Sequence, residues 1–413
     1  MEAKSSAETV ANSVDILAEI LLRLPITRLL RFKLVSKQWL SLISDPIFSL
    51  YHTRSHLLNS SSAIPSALFL HNPSSLARQT QLLSLTDVPV PSKLPNMNSG
   101  APVRIKQSCS GLLLCSSTTP SLPTIVGDET YIFLDDDYND NTVATSYFIC
   151  NPTTNQFKIV NFPVPFCYRY NIAAVILAFD PLKSRHYKLL SLRYSSCKTK
   201  FHIHSYSSET DSWSLLPLNI NLSSLVDHSF LFSSAIYCRG VVHWRPPTKG
   251  RGTWLCLDVK RKLLKEMPQP PSYGSDNRIV IRYFGESGGR LHLVMGASLH
   301  DFHFDVLELA LDYSEWSVRY RINLQSLKTE FPLLAWHCPL SLYPFSILGV
   351  VCPGKEEDSV VVILVDGVAL AYNFIHGTSL KLYYVEPCDV VDDDEVNCNW
   401  PHAFTHFQNI FRL

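Results

Sequence analysis

The sequence predicts an α+β chain of two unequal units, in which a small helical unit precedes a large all-β domain. Three short helical patterns lie within residues 12–52, and no convincing long helix follows them. From residue 66 onward, short β-branched and aliphatic runs alternate with turn residues. The 413 residues are also too many for one ordinary compact core. The predicted organisation is a disordered N-terminus at 1–11, a helical unit at 12–52, a Ser-rich linker at 53–65 and a β-rich domain at 66–413.

The first helix is predicted from an apolar stripe on one face. Asp15 stands at its start, where an acidic side chain suits the helix dipole, and Pro25 is expected to end it. Leu22 lies off the stripe, on the face that carries Glu19. The stripe itself comprises Ile16, Leu17, Ile20, Leu21 and Leu24.

Two further short helices follow. Ser36 is the predicted N-cap of the third, which Asp45 and Pro46 are expected to end. The segment from Arg23 to Lys37 contains five bases and no acid. The apolar positions are Leu29, Leu30, Phe32 and Val35 in the second helix, and Trp39, Leu42 and Ile43 in the third.

So small a unit buries a poor fraction of its apolar surface, which predicts attachment to a partner. A helical cap packed on the next domain, with its bases solvated, is the alternative that composition leaves open.

The order of residues in this unit resembles the F-box. The matching phrases are DILAEILLRLP from Asp15, LLRFKLVSKQW from Leu29 and LISDPIF from Leu42. F-boxes usually open with Leu-Pro, and Asn12-Ser13 stands there instead, which weakens one expected contact. The resemblance implies docking onto the small adaptor of a Skp–cullin–F-box ubiquitin ligase. The positions it implies for the fold or for the adaptor contact are Asp15, Ile16, Leu17, Ile20, Leu24, Pro25, Leu29, Leu30, Val35 and Trp39.

The β-rich domain contains a loose internal repeat. One half-unit is an apolar strand near a glycine, as in SGLLLCS, RGVVHW, GGRLHLVMG and DGVALAYNF. The other half-unit is a strand, a polar turn and a closing residue, and its closing residues are Phe157, Trp213, Leu263 and Trp316. These positions are separated by 56, 50 and 53 residues, a period typical of kelch-like propeller blades. The sequence therefore predicts six or seven blades, with a pair of β-sandwiches as the alternative.

Five phrases in this domain also resemble the F-box-associated domain of many plant proteins. They are SCSGLLLC, CNPTTNQFKIV, AFDPLKSRHYKLL, YSSETDSW and GVVHW, and the ending NWPHAFTHF is consistent with them. This resemblance implies a kelch-like or propeller-like surface that binds a partner.

Candidate chemical sites are weak. Asp135, Asp137, Asn139 and Asn141 have the spacing of a calcium loop, but Asp140 stands where the turn needs Gly and Ser146 where Glu is needed. His202 and His204 could begin a zinc site, yet no cysteine pair accompanies them. The same holds for His292, His300 and His303, and the acidic run 392–395 is interpreted as a solvated loop. No nucleophile elbow, P-loop or dinucleotide motif is present, so we expect no cofactor, no metal and no enzymatic activity.

Charge and cysteine usage restrict the partners and the compartment. Acidic and basic residues number 36 each, which predicts binding neither to nucleic acid nor to a membrane. Eleven cysteines without a C-x-x-C pair, and an N-terminus unlike a signal peptide, predict a cytoplasmic or nuclear protein.

The leading hypothesis is a non-catalytic receptor that binds the ligase adaptor through the helical unit and an unidentified target protein through the β-rich domain. The alternatives are a glycan-processing propeller enzyme and a lectin-like scaffold.

Overall fold

The computed structural model describes residues 13–58, 64–71, 80–86, 94, 103–120, 125–126, 129–130, 143–162, 170–195, 201–217, 235–246, 253–271, 280–297, 302–331, 345–353, 355–385 and 402–413. A helical module, defined here as residues 13–58, precedes a series of small antiparallel sheets. Residues 135–141 with their calcium-loop spacing, the acidic run at 392–395, His300 and Asn12 lie outside the described residues. Among the residues described, no helix is long and apolar enough to cross a membrane.

The helical module contains the three expected helices and a fourth that the sequence reasoning missed. Trp39 N–H donates to the Ser36 side chain at 3.2 Å, which confirms Ser36 as an N-cap. The first helix stops before Pro25, and Pro25 itself precedes the second helix. The bounds are α1 Val14–Leu22, α2 Ile26–Phe32, α3 Lys37–Ile43 and α4 Pro46–Leu58.

Asp45 and Pro46 begin α4 as well as following α3. Asp45 Oδ1 accepts hydrogen bonds from the N–H groups of Ile47 at 2.7 Å and Phe48 at 3.1 Å, and Pro46 occupies the first helical position. An Asp-Pro pair is favoured at a helix N-terminus because Asp supplies the acceptor and Pro needs no donor partner there. The helix therefore extends through residues 53–58, which the sequence had assigned to the linker.

Six sheets form a six-bladed β-propeller, as predicted. Five of the blades are four-stranded meanders. Their strands are β3 Val103–Cys109, β4 Leu112–Pro120, β7 Val143–Asn151 and β8 Gln156–Val160 in blade 2; β9 Tyr170–Ala178, β10 Lys188–Ser195, β11 Phe201–Ser207 and β12 Ser212–Leu216 in blade 3; β13 Ile236–Cys238, β14 Val241–Trp244, β15 Leu255–Asp258 and β16 Leu263–Glu266 in blade 4; β17 Val280–Ser287, β18 Arg290–Gly296, β19 His303–Leu309 and β20 Trp316–Asn323 in blade 5; and β21 Ser346–Val351, β22 Val360–Val365, β23 Val368–Asn373 and β24 Thr378–Tyr384 in blade 6.

Blade 1 joins the two ends of the β domain. Its strands, in spatial order, are β2 Thr80–Ser84, β1 Ala67–His71 and the C-terminal strand β25 His402–His406. Pairing of β25 with β1 closes the ring, and the first strands of neighbouring blades then pack around the central channel. The remaining elements are the hairpin β5 Ile125–Val126 with β6 Glu129–Thr130, the short helix α5 Leu327–Glu330 and a 3₁₀ turn Glu356–Asp358.

The repeat seen in the sequence corresponds to the turns of the blades. Ser110-Gly111, Arg239-Gly240 and Gly288-Gly289 each join the first two strands of a blade, and both residues of each pair have positive φ. Such two-residue turns match the twist of the flanking strands. DGVALAYNF differs, because Asp366-Gly367 joins the second and third strands of blade 6. The four closing residues all lie at the start of fourth strands, as the period near fifty predicts.

Candidate functional site

The helical module completes its core with a residue from the other end of the chain. Its buried side chains are Leu17, Leu21, Leu29, Ile43 and Phe48, and they pack with Ile410. Ile410 belongs to a segment that we call the C-terminal tail, residues 407–413, which follows β25. The chain thus packs its last residues between its first domain and the propeller.

Helix α4 is the element that seats the module on the propeller. Ser49 and Thr53 on this helix are buried, and the Ser49 hydroxyl lies 3.4 Å from the carbonyl oxygen of Ile410. Leu50 packs into the apolar core of blades 2 and 3. The buried face of α4 is therefore largely polar, which explains why apolar periodicity did not reveal the helix.

His52 fixes α4 to the start of the module. Its Nε2 lies 2.8 Å from the carbonyl oxygen of Leu24, and its ring stacks on Phe48 at 6.2 Å between centroids. Burial lowers the pKa of His52 to about 4, so the ring is neutral at physiological pH. A neutral His52 can donate one hydrogen bond to Leu24 without burying a charge.

A buried network of amide groups fixes the C-terminal tail to blade 2. Asn151 Nδ2 donates to Asn409 Oδ1 at 2.7 Å and to the Phe411 carbonyl at 2.8 Å. Asn409 Nδ2 donates to the Ser110 carbonyl at 3.0 Å. A Cβ on Gly111 would lie only 2.1 Å from the carbonyl oxygen of Phe407, so the tail can pass this turn only because the residue is glycine. This network joins module and propeller through contacts distant in sequence.

The outer surface of the module carries large apolar side chains in contact with solvent. Leu34 is 89% exposed and Val35 is 58% exposed. Single exposed apolar residues are ordinary, whereas a concentration of them marks an interaction surface. The apolar surface of the module, as we use the term, consists of Val14, Ile16, Ile20, Leu34, Val35, Leu40, Ile47 and Tyr51.

The predicted adaptor residues fall into three groups. Leu17 and Leu29 are buried in the module core. Three more, Leu24, Leu30 and Trp39, are partly buried against that core. Five are exposed, namely Asp15, Ile16, Ile20, Pro25 and Val35. The apolar stripe of α1 is thus divided, with Leu17 and Leu21 inside and Ile16 and Ile20 outside.

Of the histidines that had suggested a zinc site, His202 and His204 lie on β11, His292 lies on β18 and His303 lies on β19. Among the described residues, no group of three or more His, Cys, Asp or Glu side chains could hold a metal ion. His204 is buried in β11, and burial, with Arg193 and His202 nearby, lowers its pKa to about 4. His303 is exposed at the start of β19, whereas His292 lines a cavity at the end of the central channel.

The sequence reasoning missed α4, the role of the C-terminal tail and this cavity. The Asp45-Pro46 pair was an available signal for α4, because it fits a helix start as well as a helix stop. No sequence pattern connected Asn151 with Asn409, since their contact depends on closure of the ring.

Comparison with known proteins shows the family. The F-box domain family matches residues 13–51. The Arabidopsis thaliana F-box protein At5g07610 is 30% identical over 435 residues, covering 99% of this chain and 92% of that protein. The Arabidopsis thaliana F-box protein At5g49610 is 25% identical and covers 80% of this chain and 84% of its own length.

Solved structures with a similar arrangement are distant. An acylaminoacyl peptidase from Pyrococcus horikoshii gives a TM-score of 0.36 at 10% identity, over 74% of this chain and 42% of that protein. TolB from Acinetobacter baumannii gives 0.32 at 8% identity, over 59% and 50%. The family assignment rests on the sequence relatives, together with the helical module and a β domain consistent with plant F-box-associated proteins. The chain belongs to the F-box protein family.

Proposed function

We propose that this chain is the substrate-recognition subunit of a Skp–cullin–F-box ubiquitin ligase. The helical module would bind the Skp-type adaptor, and the propeller would bind a target protein. The observation that carries the proposal is the apolar surface of the module, which is exposed although the module is firmly seated on the propeller. A surface of that kind is expected to be covered by a partner.

The charge of the module supports a particular kind of partner. The five bases from Arg23 to Lys37 have no acid between them, and the Arg23 side chain is 82% exposed. A partner with apolar pockets and an acidic rim would match both features. The exposed residues Ile16, Ile20 and Val35 are our candidates for the central contacts.

The seating of the module supports a mechanism based on position. In a receptor of this kind, catalysis consists of holding target lysines at high effective concentration near the conjugating enzyme, which other subunits supply. Hinge motion between the module and the propeller would lower that effective concentration. The contacts of α4 and the C-terminal tail with both units act against such a hinge. No residue of this chain is required to react.

Neighbouring residues in α1 provide the test. Ile20 is exposed and Leu21 is fully buried, so Ile20→Asp should remove an adaptor contact while leaving the module folded. We expect adaptor binding to weaken at least thirtyfold, roughly the effect of losing one interface hot spot. The measurement is the dissociation constant of the full-length chain for the adaptor, obtained by titration calorimetry.

Leu380→Asp is the matched control, since Leu380 is also an exposed aliphatic residue but lies on β24, outside the module. This variant should bind the adaptor like the wild type. Leu24→Asp and Leu30→Asp should also abolish binding, but both residues pack on the module core, so those variants would lose folding as well. Equal adaptor affinity for Ile20→Asp and the wild type would contradict the proposal.

The same variant can identify the target. Removal of residues 1–55 would take away the side chains that pack on Ile410, whereas Ile20→Asp keeps the module in place. Affinity purification of Ile20→Asp and the wild type under proteasome inhibition should differ in adaptor and cullin, and should share the protein that the propeller binds.

A further inference from the structure

A cavity of about 1020 Å³ opens at the end of the central channel on which the helical module sits. Its walls come from the turns between the first two strands of blades 2 to 6, from the C-terminal tail and from α4. Thr53 is the contribution of α4, and Asn409 is one contribution of the tail. Ligand pockets in proteins usually have volumes of roughly 300–1,000 Å³, so this cavity could admit a small molecule.

Most of the charged side chains in the wall are paired. Lys183 Nζ lies 3.1 Å from Asp180 Oδ2, and Arg319 forms an ion pair with Glu356. Because these charges neutralise one another within the wall, they contribute little to the electrostatic potential in the cavity.

Arg239 differs from these residues. Within the described part of the chain, no carboxylate lies within ion-pair distance of its guanidinium. Arg239 sits in the first turn of blade 4, and its Nη1 reaches within 4.0 Å of the position that a Cβ on Gly289 would occupy in blade 5. The guanidinium therefore lies near the boundary between blades 4 and 5, and its N–H donors are available to a ligand.

Arg290 and His292 share a single carboxylate. Arg290 Nη1 lies 2.7 Å from Glu308 Oε1, and His292 Nε2 lies 3.6 Å from Glu308 Oε2. Cys352 and Glu308 beside the ring raise the pKa of His292 to about 9 against the opposing effect of burial. Two cations therefore face one anion on this side of the cavity.

Two buried side chains in the wall, His292 and Thr53, lack a hydrogen bond of normal geometry among the described residues. The His292 side chain is 1% exposed, and its contact with Glu308 at 3.6 Å is an ion pair that is longer than a hydrogen bond. The Thr53 hydroxyl is also buried without one. Glu286 accepts the Gly289 N–H at 2.7 Å, and burial raises the pKa of its carboxyl group. Buried polar groups of this kind need a partner, which a molecule bound in the cavity would supply.

We propose that this cavity is a binding site for a small oxyanion, an organic molecule carrying a phosphate or carboxylate group, with Arg239 as its main charge partner. The guanidinium geometry suits bidentate contact with either group. Arg290 and His292 supply the remaining positive charge in the wall. A ligand here would contact blades 4 and 5 and lie beside α4, so it would stabilise the seating of the module.

The test uses the full-length chain with inorganic phosphate, pyrophosphate and citrate as probes. We expect saturable binding by calorimetry and a rise in the thermal unfolding midpoint for at least one probe. Stronger binding of pyrophosphate than of citrate would assign the site to phosphate compounds, and the reverse order would assign it to carboxylates.

Arg239→Gln should weaken that binding at least tenfold, the usual effect of losing a hydrogen bond to a charged group. Arg261→Gln is the matched control, because Arg261 lies in another turn of the same blade, is 77% exposed and does not line the cavity. Absence of saturable binding for all three probes, or equal weakening in both variants, would overturn the proposal. Adaptor affinity, measured on the same variants, should be unchanged, which separates this result from the test of ligase function.

Discussion

The helical module and the propeller differ in how completely each buries its own apolar side chains. Among the described residues, eight large apolar side chains of the module are exposed, compared with ten in the much longer propeller. The propeller closes its ring with its own strands β1 and β25. The module, by contrast, needs Ile410 from the C-terminal tail to complete its core.

This difference follows from the sizes of the two units, and it shows that the module depends on contacts from outside itself for its stability. A unit of some forty residues has too little volume to enclose its apolar surface, whereas stacked blades cover one another. The module is therefore stabilised by the propeller and the tail, and the rest of its apolar surface stays exposed. Four substitutions test this difference between the two units.

The largest effect is expected at two neighbouring residues of the C-terminal tail. Ile410 packs in the module, and Phe411 packs in the core of blades 2 and 3, where its ring meets Phe179 at 5.1 Å. Ile410→Ala should reduce the stability of the module by about 2–5 kcal/mol, because it leaves a cavity in a small core. Amide hydrogen exchange should show the loss of protection in α1–α4 and not in the blades.

Phe411→Ala should give the reverse pattern, with about 3–5 kcal/mol lost in the propeller. Arg412→Ala is the control, since Arg412 is exposed. If Ile410→Ala lowered protection equally in both units, the module would not be the dependent partner that the comparison describes.

A smaller effect is expected from pH, through His52. Its folded pKa of about 4 lies below the value of 6.5 for an unperturbed histidine, so the unfolded chain binds the proton first as pH falls. The contribution of neutral His52 is complete above pH 6.5 and is lost as pH falls towards 4, by up to about 1.4 kcal/mol per pH unit. His52→Gln keeps a donor for the Leu24 carbonyl without titrating.

The measurement is the protection of α4 amides in the wild type and in His52→Gln, corrected for intrinsic exchange, between pH 7 and 4. His243 and His406 in the propeller also have pKa values lowered to about 4 by burial, so the blades should lose stability in both proteins. An unchanged pH dependence of the module in His52→Gln would show that another group controls it.

The smallest effect is expected at the surface of the propeller. Asp211 links blades 2 and 3 through Lys158 Nζ at 2.8 Å, and its side chain is 71% exposed. Asp211→Asn should reduce stability only slightly, because solvent and salt screen such a pair. Asparagine also tolerates the positive φ of 50° at this position. The urea unfolding midpoints of the wild type and the variant should differ at low salt and become nearly equal at about 0.5 M salt. A larger loss of stability that does not depend on salt would contradict the interpretation of Asp211 and Lys158 as a screened surface ion pair.

The repeat of the propeller could be predicted because each blade reproduces local chemistry. The turns Ser110-Gly111, Arg239-Gly240 and Gly288-Gly289 require residues that accept positive φ. The fourth strands of blades 2 to 5 each have an apolar or aromatic residue at their first or second position. The buried tryptophans Trp244, Trp254 and Trp316 lie in the blade cores. The number of blades was narrowed to six or seven and no further, since the sequence does not reveal that the last strand returns to the first blade.

The family resemblance, the three helices of the F-box and the propeller repeat could be predicted from the sequence, because each depends on residues close together in the chain. Only the three-dimensional structure shows which of the stripe residues face outwards: Ile16 and Ile20 lie on the surface, while Leu17 and Leu21 lie in the core. It also decided that Ile410 completes the module and that Arg239 faces a shared cavity. Those arrangements join residues hundreds of positions apart, and only closure of the ring brings them together.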